Sequence, residues 1–226
     1  MKAYRDEVTG RWHSDLPDVF DLICEKLKKG EPFKFARYGD GEFNAIYGKR
    51  GANCDGHQYF PDLGQKLRAS LERKPDYIVG LQPLTLASER WPQIQRDFPG
   101  ISWVDADSIH NASIDGRVWR LFEMLRNYDP VVIGPSFLKK YTLPLKWELM
   151  VIPPVDCWRV HDSVFEFLHE HLSWRKDAVV LLCASMMSEV IIDEFRFYDM
   201  TFIDLGSVLD PYCGVKSRRY HHKLNI

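Results

Sequence analysis

Residues 37–42 read Arg-Tyr-Gly-Asp-Gly-Glu, directly behind a short apolar run. Asp40 and Glu42 are separated by a single glycine. In an extended loop, alternate side chains point the same way, so both carboxylates would face one point. Hard oxygen ligands in that arrangement suit Mg2+ or Mn2+. Gly39 and Gly41 let backbone N–H groups approach an anion closely. A helix beginning near Glu42 would add the positive end of its dipole. Arg37 has the planar fork that grips a phosphate oxygen pair. These groups together suit a metal-bridged diphosphate. The plainer alternative is a glycine-rich turn in which Asp40 or Glu42 caps the following helix.

A site of this kind needs elements that hold its loops together. The chain alternates short β-branched runs with amphipathic stretches. Strands are expected at 33–37, 76–82, 101–107, 130–136, 148–154, 177–185 and 200–206. Helices are expected at 16–30, 61–74, 85–98 with a break at Pro92, 113–127, 137–141, 161–174 and 188–198. Strand–helix alternation over the whole length is the mark of a parallel sheet covered on both faces. Runs such as Val-Val-Leu-Leu-Cys at 179–183 fit strands buried on both sides. The fold class is therefore α/β, a Rossmann-like three-layer α/β/α sandwich with a mostly parallel sheet. In such sheets ligands sit beyond the carboxyl ends of the strands. Six loops then matter: 37–42, 105–111, 134–136, 153–156, 183–188 and 204–210.

Several of these loops carry polar groups with alternative readings. Asp105 and Asp107 end an apolar strand and could hold a metal by themselves, or Asp107 or Ser108 could cap a turn. Asp107 or His110 could serve as a general base. Gly134 and Ser136 precede a helix start and offer backbone and hydroxyl contacts, or simply a strand-to-helix turn. Ser185 and Ser188 could bind phosphate or ribose, or cap their helix. Asp204 ends the last strand, and Asp210 could bond ligand hydroxyls, act as a base, or cap before Pro211. His161, His169 and His171 make no metal pattern, and no Gly-x-Ser-x-Gly elbow or P-loop occurs.

The bulk properties narrow the setting. The chain has 226 residues, a length that favours one domain over 1–226, with a basic C-terminal tail from about 214 to 226. Apolar residues make up 45%, enough to fill a core, and the net charge of −2 gives no global basic field. The five cysteines are widely spaced without a Cys-x-x-Cys pair, which argues for a reducing compartment. No apolar run reaches the roughly 20 residues of a membrane span, and the polar N-terminus is unlike a signal peptide. A soluble, cytoplasmic protein is expected, in the host cytoplasm if it is phage-encoded. The tail carries Lys216, Arg218, Arg219, His221, His222 and Lys223, either as a solvated terminus or as a phosphate-binding patch. Nothing in the sequence sets the oligomeric state.

The block Phe-Ala-Arg-Tyr-Gly-Asp-Gly-Glu-Phe-Asn-Ala-Ile at 35–46 resembles the R-[FY]-G-D-G-E motif of the GT-D glycosyltransferases. The resemblance continues in order through 131–141, 151–158 and 179–212. It departs at 183–185, where Cys-Ala-Ser stands in place of the usual Gly-Pro-Thr. The resemblance implies a metal-dependent transferase that moves a sugar from a nucleotide-diphospho donor, with UDP as the expected nucleotide. Asp40 and Glu42 would bind Mn2+ or Mg2+. Arg37, Tyr38, Gly39, Gly41, Gly134, Ser136, Ser185, Ser188 and Arg218 would contact substrate, and Asp107 or Asp210 would be catalytic. The acceptor is left open between a glycan and a hydroxymethylated DNA base of the kind bacteriophages modify. A GT-A-like metal pair at Asp105 and Asp107, a non-catalytic nucleotide-binding module, and a phosphoesterase remain as rivals.

Overall fold

A computed structural model describes residues 1–7, 11–172, 175 and 177–224. Two short strands, β1 (Ala3–Arg5) and β2 (Trp12–Ser14), pair antiparallel near the N-terminus. The apolar runs behind the candidate loops then form β3 (Lys34–Tyr38), β4 (Ile78–Leu81), β5 (Trp103–Asp105), β6 (Val131–Pro135), β7 (Glu148–Ile152), β8 (Val179–Leu182) and β9 (Thr201–Asp204). These seven lie in one sheet in the order β5-β4-β3-β9-β8-β6-β7, and every neighbouring pair is parallel. Because all run the same way, all their carboxyl ends open on one edge.

Nine α-helices cover the faces: α1 (Phe20–Lys29), α2 (Asp40–Ile46), α3 (Pro61–Glu72), α4 (Pro83–Leu86), α5 (Trp91–Asp97), α6 (Ser108–Asp115), α7 (Val118–Leu125), α8 (His161–Leu172) and α9 (Met187–Glu194), counted among the described residues. Strand side chains alternate between two cores, as the pleat requires. Phe35, Val132, Leu181 and Ile203 pack with Ile23, Ile109, Leu121 and Leu125 of α1, α6 and α7. Ala36, Ile133, Leu182 and Phe202 pack with Phe43, Leu67, Leu168 and Ile191 of α2, α3, α8 and α9. This is the expected three-layer sandwich. Both faces of the sheet are buried, which is why its strands read as continuous apolar runs.

The break expected within 85–98 is present: α4 ends at Leu86, and Pro92 stands at the start of α5. Three other points differ from expectation. The helix expected over 113–127 is the end of α6 and the whole of α7, divided by Gly116 at φ +85°. The short helix at 137–141 is a 3-10 turn over Ser136–Lys139. The antiparallel pair β1–β2 carries no clear alternation and went unseen. Of the helix expected at 161–174, its last two residues lie outside the described residues. Among the described residues no helix is long and apolar enough to cross a membrane.

Candidate active site

From β3 the chain steps through β4 to β5 on one side, then crosses over to build β6, β7, β8 and β9 on the other. The strand order therefore reverses between β3 and β9, the position where open α/β sheets form a ligand crevice. Arg37 reaches into this place from β3. Its Nε donates to Ala106 O at 2.7 Å, its Nη2 to Asp107 Oδ1 at 3.3 Å, and its Nη1 lies 3.8 Å from Asp204 Oδ2. Burial would weaken the charge, but Asp204, Asp107 and Glu189 outweigh it and hold the guanidinium protonated. Arg37 thus ties the ends of β3, β5 and β9 together. Gly206 is needed for this, since its φ is +53° and a Cβ there would sit 2.5 Å from Arg37 Nη1.

The Asp-Gly-Glu block does not form an extended loop. Asp40 begins α2, and Glu42 folds back so that Oε2 accepts Gly39 N–H at 2.7 Å. Two residues apart on a helix, the two acids do not share a face. The capping alternative is therefore realised for Glu42, while Asp40 stays exposed at the mouth. A side chain on Gly39 would meet the tip of the Gln82 side chain, which would have to move. Gly41 packs near Asn53 and Met186.

Behind the turn lies a group of acids that the motif does not announce. Asp204 at the end of β9 is 4% exposed, and Glu189 in the first turn of α9 is 1% exposed. Burial raises the Glu42 carboxyl to about 7, helped by Asp204 and Asp40. Burial pushes Glu189 far above the usual carboxylate range, with Glu42 and Asp204 adding repulsion. Asp204 is also raised, since burial exceeds the opposing effect of Arg37. As the side chains stand, no three of the described His, Cys, Asp and Glu residues form a group that could hold a metal ion. The chemistry of the donors is nevertheless that of a hard-cation site: carboxylate oxygens in excess of the single buried Arg37, with Glu189 Oε2 buried and without a hydrogen-bond partner. By donor type these residues suit Mg2+ or Mn2+, while their placement brings no three of them together.

The other expected site residues divide clearly. Tyr38 points into the core and its hydroxyl bonds Ser70 Oγ at 2.6 Å, so its side chain does not face the crevice. Ser185 holds φ +49°, an uncommon conformation for a residue with a Cβ, and its hydroxyl accepts Asn53 Nδ2 at 3.2 Å. Ser188 is fully buried beside Asp204. Asp107 keeps 30% of its side chain exposed next to Arg37. Asp210 is 7% exposed, and its Oδ2 accepts a hydrogen bond from Ser217 Oγ at 2.5 Å, so it is engaged by the tail. Its carboxyl is pushed up to about 6 by burial. Gly134 and Ser136 end β6, separated from β9 by β8, and the space a Cβ on Gly134 would need is filled by Leu138 and Cys183. Packing explains that glycine without a ligand.

The tail is folded over the crevice. Arg218 grips Asp55 with two bonds, Nη1 to Oδ1 at 2.6 Å and Nη2 to Oδ2 at 2.5 Å, and its Nε donates to Ser207 Oγ at 3.3 Å. Tyr220 meets the His110 ring edge-on at 5.7 Å. Burial, then Arg37 and Arg218, keep His110 neutral by lowering it well below its usual value. Asp105 is occupied locally. Its Oδ1 accepts Asp107 N–H at 2.8 Å and its Oδ2 accepts Asn111 Nδ2 at 3.4 Å. Asp105 and Asp107 thus face different partners instead of a shared ion. Sequence reasoning missed Glu189, Asn53 and Asp55. An acid placed directly before the apolar run Val-Ile-Ile at 190–192 is the available signal for Glu189.

By sequence alone, no protein-family model and no curated protein matches the chain. Its fold does match solved structures. One is described as the selenomethionine-substituted structure of domain of unknown function 1792, at 14% identity and TM-score 0.66, covering 83% of this chain and 76% of that one. A second carries the statement that this highly conserved domain has a distinct glycosyltransferase fold, at 15% identity, TM-score 0.63 and the same coverage. A third is described as a new glycosyltransferase from Streptococcus sanguinis, at 15% identity and TM-score 0.65, covering 84% of this chain and 80% of that one. The chain has the fold of the GT-D neighbours that its first motif resembles.

Proposed function

We propose that the protein is a glycosyltransferase that moves a sugar from a nucleotide-diphospho donor, with UDP as the expected nucleotide, to an acceptor hydroxyl. The observation that carries the reading is the acid-rich crevice at the β3–β9 switch point, in a fold shared with structures described as glycosyltransferases. Asp40 at the mouth, with Glu42 turned away from its cap on Gly39, would hold Mn2+ or Mg2+. When bound, the cation supplies charge to neutralise the departing diphosphate. Arg37 anchors the crevice walls and contributes positive potential, with its hydrogen-bonding nitrogens already committed to the protein. Asp107 is the better of the two proposed bases, because it is the more exposed and Asp210 is engaged by Ser217. It would accept the proton of the acceptor hydroxyl as the new glycosidic bond forms. The acceptor is a glycan or a hydroxymethylated DNA base, and the exposed Arg219, His222 and Lys223 of the tail favour one that carries negative charge.

The test is thermal unfolding with a panel of nucleotide sugars, with and without Mn2+, on wild type and Asp40→Asn. A Mn2+-dependent shift with one UDP-sugar, lost in the variant, is expected. Equal shifts in both proteins would remove Asp40 from the site. Donor binding without sugar release, with every acceptor offered, would make the chain a binding module and end the enzymatic reading.

A further inference from the structure

Two guanidinium groups flank the turn that follows β9, and they differ in how firmly they are held. Gly206 packs against Arg37 Nη1, and the next residue, Ser207, accepts Arg218 Nε–H on its Oγ at 3.3 Å. Arg37 is 9% exposed and divided among Ala106 O, Asp107 and Asp204. Arg218 keeps 35% of its side chain exposed, and both ends of its fork rest on one carboxylate, Asp55, which is itself 31% exposed. Asp55 stands in a loop tied to the crevice at other points. Asn53 Nδ2 donates to Ser185 Oγ at 3.2 Å, and Gln58 N–H donates to Asp156 Oδ1 at 2.8 Å. The Arg218–Asp55 pair therefore joins this loop to the tail, with Tyr220 edge-on to His110 two residues further along. A guanidinium fork takes a phosphate in the same two-bond geometry as a carboxylate. A partly exposed ion pair contributes little to stability, so a change of partner on Arg218 costs the fold little. On Arg37 the same anion would have to displace contacts that tie three strands together.

We infer that Asp55 is an internal stand-in for the ligand's phosphate: in the free protein it occupies Arg218 and straps the tail across the crevice, and a nucleoside diphosphate takes Arg218 from it on binding. This rests on the nucleotide-sugar reading above and deepens it. Arg218 is then the anchor of the anion, and Asp55 is the group that competes for it.

The experiment is calorimetric titration of UDP, with Mn2+ present throughout, into wild type, Asp55→Ala, Arg218→Ala and the double variant. Asp55→Ala should bind UDP about two- to fivefold more tightly, the scale of a partly exposed ion pair. Arg218→Ala should bind it at least about tenfold more weakly, the scale of hydrogen bonds to a charged group. The double variant should match Arg218→Ala, because a competitor has no effect once the contested group is gone. If Asp55→Ala tightens binding equally with and without Arg218, Asp55 is only a repelling charge and the inference is overturned. Wild-type or weaker affinity in Asp55→Ala, or wild-type affinity in Arg218→Ala, overturns it too and leaves the glycosyltransferase reading standing. If wild type itself binds no UDP, both fall. Should Arg218→Ala fail to fold, Arg218→Lys takes its place in both single and double variants. It keeps the charge without the fork, and a severalfold loss of affinity supports the inference while wild-type affinity overturns it.

Discussion

Two turns of this molecule look alike in sequence and behave differently. Both follow a strand and both carry acids at alternate positions, Asp40 and Glu42 after β3 and Asp105 and Asp107 at the end of β5. At β5 each acid already has a protein partner, although Asp107 keeps 30% of its side chain exposed. Asp105 accepts from Asp107 N–H and Asn111, and Asp107 pairs with Arg37. At β3 the turn sits beside Asp204 and Glu189, acids brought from the other end of the chain, with one buried arginine among them. The turn at β5 is a satisfied corner, and the turn at β3 a crowd of acids whose buried members are pushed toward their protonated forms. A pair of carboxylates is therefore no site in itself. What separates the two is which other elements the sheet order places next to each.

Arg37 is the hinge of that comparison, and its loss should have the largest effect. Arg37→Ala leaves Asp204 and Asp107 without their cation and should cost about 3–5 kcal/mol in urea unfolding. A loss below about 1 kcal/mol would mean that the acids at β3 are solvated and that the contrast with β5 is false. Next is Asp105, whose carboxyl burial raises to about 6. Raised carboxylates bind their proton more tightly folded than unfolded, so they add stability as pH falls through the folded value. Wild type should therefore gain on Asp105→Asn between pH 7 and 4, by up to about 3 kcal/mol for a shift of two pH units. A gap that stays constant across this range would show that Asp105 is not buried as a charge.

Arg218→Ala should come third. It releases Asp55 and frees the loop around residues 53–58 from the tail, at about 1 kcal/mol for a partly exposed pair. Hydrogen exchange should rise in that loop, and unchanged exchange would show that the tail does not hold it. The smallest effect belongs to Asp40→Asn without ligand. An exposed acid at a helix start is worth about 0.3–1 kcal/mol. A larger loss would make Asp40 a structural residue and weaken the contrast drawn here.

The amino-acid sequence by itself determined the layered α/β architecture. Strands buried on both faces must be apolar throughout, and helices between them must carry one apolar stripe, so the pattern is written along the chain. It also marked the edge where polar loops gather. Element ends were less legible, because Pro92 and Gly116 can either interrupt a helix or divide two, and packing chooses. Only the tertiary structure decided what each acid does. That Arg37 joins three strands and that Glu189 stands against Asp204 depend on strand order, whereas the turn of Glu42 back onto Gly39 is a local cap that the sequence already offered. Strand order brings residues 37, 107 and 204 to within bonding distance, and local spacing has no information about distances of that kind.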